Sequence, residues 1–278
     1  MKTASMTGPI AHAPGRGGGF TLVELLVTIG VIGVIVSIIL PALAGARVAA
    51  RETQALANQR SVAQSFSVYA GEFGCWPFRR RGVVPNGDGV DAPLVPANPQ
   101  ILFVNWWPEG VRIGVSDHFA QEWLWPGIVA RTIPWQQNYA TWVSPGMPTE
   151  LPTEPDLGGG MHLWDQISVR YSNAFVARPE LFKAGATEDD RLLAPTKPSE
   201  VTFASGKVML WDAHLAYLRT RPAEVGGHFD APTPMAFADM HAEKRKPTEA
   251  ALGVPNPYRG GVAHALNTTP DGVRGKDY

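Results

Sequence analysis

Between Leu25 and Ala46 the chain runs for 22 residues without a charge, and nearly all of them are apolar. At ~1.5 Å per residue such a run makes a helix roughly 33 Å long, enough to cross the hydrocarbon core of a bilayer. Apolar residues cover every face, so this helix must end in lipid or among neighbouring helices. Beyond Pro41 the pattern changes. From Ala42 to Glu72 helix formers and alanines are interleaved with Leu56, Val62, Phe66 and Tyr69. That spacing predicts a buried stripe on a partly solvated continuation of the helix, stopped by Gly71, Gly74 and Pro77.

After Pro77 regular patterning fades. Residues 83–98 are rich in Pro, Gly, Asp and Ala and read as an exposed excursion, with a second loop at 145–160. Between them, residues 101–145 carry six of the nine tryptophans. Their rings fill a core and a subunit contact, or else line a groove for glycan or peptide, with Trp106 and Trp125 as the residues to test. Further on, residues 201–203, 208–211 and 215–218 read as strands, with a turn at 205–207. Residues 235–238 and 242–246 read as a second hairpin around Asp239 to His241.

Composition narrows the function. With 24 basic and 25 acidic side chains the formal charge is -1, so a nucleic-acid partner is not expected. The one cysteine, Cys75, allows no intramolecular disulfide and no cysteine-based metal site. No phosphate-cradling glycine loop, H-E-x-x-H or G-x-S-x-G occurs. Asp212 with His214 and Asp239 with His241 stand two apart, so on strands each pair would share a face; His228 and Asp230 repeat the spacing. If they converged they could hold a metal or orient a base. The blander reading is that Asp caps turns and His bonds backbone.

One charge stands at the mouth of the apolar run: Glu24, preceded by a flexible Gly17-Gly18-Gly19. A carboxylate there is costly in lipid and calls for a specific partner. The segment Gly19-Phe20-Thr21-Leu22-Val23-Glu24, followed by the long apolar helix, resembles the processing site of type IV prepilins and type II secretion pseudopilins. Residues 56–60, Tyr69, Gly74 to Pro77, Tyr171-Ser172-Asn173, Phe237 to His241 and 271–275 are similar to one pseudopilin subgroup; Gln59-Arg60 stands where Leu-Arg is commoner, and Met240 replaces a turn glycine.

The resemblance implies cleavage between Gly19 and Phe20 by a prepilin peptidase, N-methylation of Phe20, and assembly through Glu24, with Pro41 where the family often breaks its first helix. It implies a leader at 1–19, a long helix at 20–72 crossing the membrane at about 22–43, and an exported domain at 73–278. The expected fold is α+β and pilin-like: the long helix packed on a small antiparallel sheet, with C-terminal elaboration. The expected role is a non-enzymatic filament subunit, single-pass in the inner membrane with its C-terminal body periplasmic or extracellular. Its partners would be other pilin or pseudopilin subunits, an assembly ATPase and a membrane platform protein. The charge pattern alone does not orient the chain, since Arg47, Arg51 and Arg60 follow the span while Lys2 and Arg16 precede it. No cofactor is expected beyond Ca2+ by analogy with some pseudopilins, at Asp212, His214, Asp239 and His241. Two alternatives remain open: a membrane-anchored exported module recognising glycan or peptide, and a metal-dependent hydrolase using those same four residues.

Overall fold

Helix formers run almost unbroken from Leu22, and the chain responds with a single 52-residue helix, α1 (Leu22–Phe73). The computed structural model describes residues 21–80, 83–85, 91–93, 102–105, 112–115, 117–129, 132–133, 135–149 and 167–278. The chain divides into two units, Met1–Arg47 and Val48–Tyr278. In the first unit the apolar face predicted for membrane or neighbours is bare on all sides: Leu22 is 79 % exposed, Ile32 53 % and Ile39 53 %. This helix is long and apolar enough to cross a membrane.

In the second unit the helix is one-sided. Ala55, Gln59, Val62, Ala63, Phe66, Tyr69 and Ala70 are buried, a repeat of three and four residues that keeps one face inward. Leu56, expected in that stripe, is only half-buried, because the helix turns its Ala55 and Gln59 inward instead. Gly74 ends the helix at φ 70°, and its N–H donates to Ala70 O at 2.9 Å. A residue with a side chain would be strained there, so glycine is the stop signal.

Short antiparallel pairs follow: β1 (Val83–Pro85) with β2 (Asp91–Pro93), then β3 (Leu102–Asn105) with β4 (Arg112–Val115). The first pair falls inside the predicted excursion. Helices α2 (Gln121–Val129) and α3 (Trp135–Trp142) come next. The main sheet draws on β5 (Val169–Tyr171), β6 (Val208–Asp212), β9 (Thr233–Phe237) and β10 (Ala242–Arg245), in the order β10-β9-β6-β5 and antiparallel throughout. A separate hairpin, β7 (Glu224–Val225) with β8 (His228–Phe229), lies between β6 and β9 in sequence. A long N-terminal helix with a small antiparallel sheet is thus an α+β arrangement, as expected.

Aromatic rings make the core. Phe66 of α1 meets Trp125 edge-on at 5.2 Å and Tyr171 at 4.9 Å; Trp125 in turn meets Trp142 at 5.2 Å. Edge-to-face pairs of this kind add about 0.5–1.5 kcal/mol beyond the area they bury. Trp125 Nε1 donates to Val169 O at 2.9 Å, so its one polar atom is satisfied in the core. The segments 171–173 and 266–267 lock together here: the Ser172 hydroxyl donates to Leu266 O, and Asn173 N donates to Asn267 Oδ1 at 3.0 Å.

Two sequence expectations fail. Residues 201–203 and 215–218 are not strands; the first leads into a 3-10 turn at Ala204–Gly206, and the second folds as turns with Leu215 at φ 48°. Both are short apolar runs, whose strand or turn identity is decided by packing rather than period. The second hairpin forms as expected, with Ala242 opposite Ala236 and Arg245 opposite Thr233.

Candidate functional site: the capped helix start and the sheet turns

Gly19 and Phe20 lie outside the described residues. From Thr21 the geometry is definite. Thr21 Oγ1 accepts from Glu24 N at 3.2 Å, while Glu24 Oε2 accepts from Thr21 N and from the Thr21 hydroxyl, both at 2.8 Å. This is a capping box, in which the N-cap residue and the third helical residue satisfy each other's backbone donors. The pattern T-x-x-E was present in the sequence and is the signal that finds Thr21. Only one oxygen of Glu24 is used; Oε1 has no partner among the described residues. Fixing the side chain by one oxygen leaves the other presented at the start of the exposed apolar helix.

Pro41 sits inside α1, which runs unbroken through it. A proline there cannot donate to the carbonyl of Ser37, four residues earlier. Ser37 itself bonds back through its hydroxyl to Val34 O at 2.7 Å.

The aspartate–histidine pairs occupy different places. Asp212 ends β6, buried, with Oδ2 accepting from the Ser144 hydroxyl at 2.6 Å and Oδ1 from the backbone N–H groups of His214 and Leu215. Burial pushes its carboxyl pKa up, against the pull of these three donors. The side chain holds the Leu215 turn, which is the turn-capping reading of this residue. His214 Nδ1 lies 3.3 Å from Ser168 Oγ and 3.1 Å from Met147 Sδ.

Asp239 and His241 lie in the turn joining β9 to β10. Their Oδ1 and Nδ1 are 2.5 Å apart, and the His241 ring stacks on Phe237 at 4.3 Å. The register pairs Val208 with Phe237 and Trp211 with Met235. Asp212 and the Asp239 turn therefore sit at opposite ends of β6, about 13 Å apart at the strand rise. The expectation that each pair shares a strand face also fails, because His214, Asp239 and His241 are off the strands. The repeated pair splits likewise, with His228 on β8 and Asp230 beyond it. Among the described residues no three His, Cys, Asp or Glu come together as a metal-holding group.

Trp106 and Trp107 lie outside the described residues, as does the Trp135 side chain. Trp125 and Trp142 are buried core rings, at 0 % and 1 % exposure, so neither lines a groove. Cys75 is half-buried next to the buried Trp76, and burial pushes its thiol pKa up. Compared with protein-family models, curated proteins and solved structures, the chain finds no match.

Proposed function

We propose that this protein is a structural subunit of a type IV pilus-like or type II secretion pseudopilus filament. It is cleaved between Gly19 and Phe20, N-methylated on Phe20, and held in the inner membrane by the first part of α1 until it joins the filament. The observation that carries this reading is the conjunction at the helix start. A capping box positions Glu24 and leaves one oxygen open, directly ahead of an apolar helix whose sides are uncovered. An uncovered apolar rod must be taken up by lipid or by like helices. In that setting an acid near its end is best neutralised by a cation such as the new amine on Phe20 of a neighbouring subunit. Such a pair sets register more than it adds net stability, since desolvating both charges offsets much of their attraction.

In this reading the capped carboxylate and the intersubunit pair are compatible, because each uses a different oxygen. Repetition of one head-to-tail contact then builds an open fibre. The assembly ATPase, platform protein and peptidase are its partners, the C-terminal body lies periplasmic or extracellular, and the subunit performs no chemistry.

Mass spectrometry of the chain from membranes tests this. The expected mature form begins at Phe20 and carries one added methyl when a prepilin peptidase is present, and stays full-length when it is absent. A chain that keeps its first nineteen residues beside an active peptidase refutes the reading.

A further inference from the structure

Leu252 is 86 % exposed, more than any other large apolar side chain described between Val48 and Tyr278; Val68 follows at 59 %. Its loop is held in place. Pro247–Glu249 is a 3-10 turn, Ala250 is buried, Ala251 N donates to Asp277 O at 2.8 Å, and Val254 N donates to Thr268 O at 2.8 Å. Gly253 makes the close approach possible, because a Cβ there would collide with His264 O. Glu249 is the only charged residue in 247–258; it is exposed and enters no ion pair among the described residues. The basic residues just before it are committed elsewhere: Lys244 to Glu52 and Arg245 to Glu243, both at 2.7 Å, and Lys246 to Asp230 at 3.6 Å. One exposed leucine is ordinary on a protein surface. A matching groove on the same molecule changes its meaning.

That groove, of about 520 Å³, lies where α1 passes the β9–β10 turn. Leu56, Ala57, Met240 and Ala242 give it apolar walls, so the half-buried Leu56 faces this space. Arg60 stands on the same wall of α1, exposed and in no ion pair among the described residues. Asp239, the groove's one carboxylate, accepts from His241 Nδ1 at 2.5 Å and from His241 N at 3.2 Å. Knob and groove lie on opposite sides of the sheet. Leu210 and Ala236 share a core with Phe66 of α1, while Trp211 and Met235 point the other way and pack with Ala250. Ala242, opposite Ala236 on the edge strand β10, belongs to the α1 side.

We propose that this groove receives Leu252 of a second copy of this chain, with Glu249 of that copy set against Arg60. Burial of Leu252 carries the affinity, and the exposed ion pair fixes orientation while adding little. Because the two surfaces differ and lie on opposite sides, every contact leaves one free knob and one free groove, and the contact repeats without closing. It rests on the filament reading only for its place in a fibre, where it joins the exported bodies rather than the helix starts.

Sedimentation equilibrium of the unprocessed full chain, at fixed detergent, tests the proposal. The weight-average mass of the protein is expected to rise with concentration past that of a dimer. Leu252→Asp should weaken this association about tenfold or more. Arg60→Glu and Glu249→Arg alter exposed side chains, so both should fold, and each should weaken it about threefold or more. Combining the two in one chain should restore it, because the charges then face each other again. Lys183→Glu, equally exposed and outside both surfaces, should change nothing. A chain that stays monomeric or stops at a dimer, undiminished association in Leu252→Asp, or a double swap no better than the single ones overturns the proposal. Association lost in Ala57→Asp but kept in Leu252→Asp would give the groove to another occupant, and overturns it too. Since no cleavage at Gly19 is read, failure here leaves the helix-start reading standing, and failure of processing leaves this contact standing.

Discussion

Lys207 is fully buried, and its ammonium lies 3.2 Å from Asp277 Oδ2 and 2.5 Å from the Thr269 hydroxyl oxygen. Asp277 is buried as well; its Oδ2 accepts from Val208 N at 2.8 Å and its Oδ1 from the Thr269 hydroxyl at 2.5 Å. The pair therefore pins the segment at 277 to the first residue of β6. Burial pulls the Lys207 pKa down, and the Asp277 carboxylate pulls it back up. Asp277→Ala leaves the ammonium with Thr269 alone and should cost about 3–5 kcal/mol, the usual penalty for stranding a buried charge. For a body of this size that lowers the melting temperature by about 10 °C. Lys207→Met should cost less, because Asp277 keeps Thr269 and the Val208 amide. The double variant Lys207→Met/Asp277→Ala removes both charges and strands only neutral donors, at about 1–3 kcal/mol. It should be more stable than Asp277→Ala. Urea unfolding of the detergent-solubilised chain, followed by the fluorescence of core rings such as Trp125 and Trp142, gives all three values. A loss below about 1 kcal/mol for Asp277→Ala, or additive single costs in the double variant, refutes the buried-pair account.

Three further outcomes are expected. Met240 adopts φ 71° in the β9–β10 turn, where Phe237 O accepts from Met240 N, a conformation that costs an L-residue about 1–2 kcal/mol. Met240→Gly should thus be more stable than Met240→Ala by roughly 1 kcal/mol in urea unfolding; alanine matching or beating glycine would show that the turn holds no strain. At the helix start, Thr21→Val removes the cap and should speed exchange of the first-turn amides about fivefold, while Glu24→Gln keeps the acceptor and should not. On the assembly reading Glu24→Gln nonetheless loses filament yield, so intact filaments from that variant would dissociate the charge from assembly. His228 is held neutral by burial, against the pull of the Ala265 carbonyl. The unfolded chain then takes up this proton first as pH falls below about 6.5, so stability drops on acidification from neutral by at most about 1.4 kcal/mol per pH unit. His228→Gln should flatten that slope, and an unchanged slope in the variant would assign it to another group.

What the sequence made legible follows from which residues carry their own geometry. The apolar run at the start of α1 needs no context to be helical, and Gly74 terminates the helix through a backbone angle that glycine alone takes easily. The β9–β10 hairpin was readable because a short apolar run, Met235 to Ala238, stands before an Asp239 turn and a polar return, although Met240 hides the glycine that would have announced it. Residues 201–203 and 215–218 look no different from strands in sequence; there the decision belongs to partners such as Asp212, whose side chain reaches the amides of His214 and Leu215. The aspartate–histidine spacing misled for the same reason: two residues two apart share a face only if a strand lies beneath them, and at Asp239 and His241 a turn does. The helix start is the opposite case. Thr21 and Glu24 are three apart on one turn, so their mutual capping is a local property that holds with or without the rest of the fold. An acid fixed by its own first turn is oriented before any neighbour arrives, and a neighbouring amine need then supply only the charge.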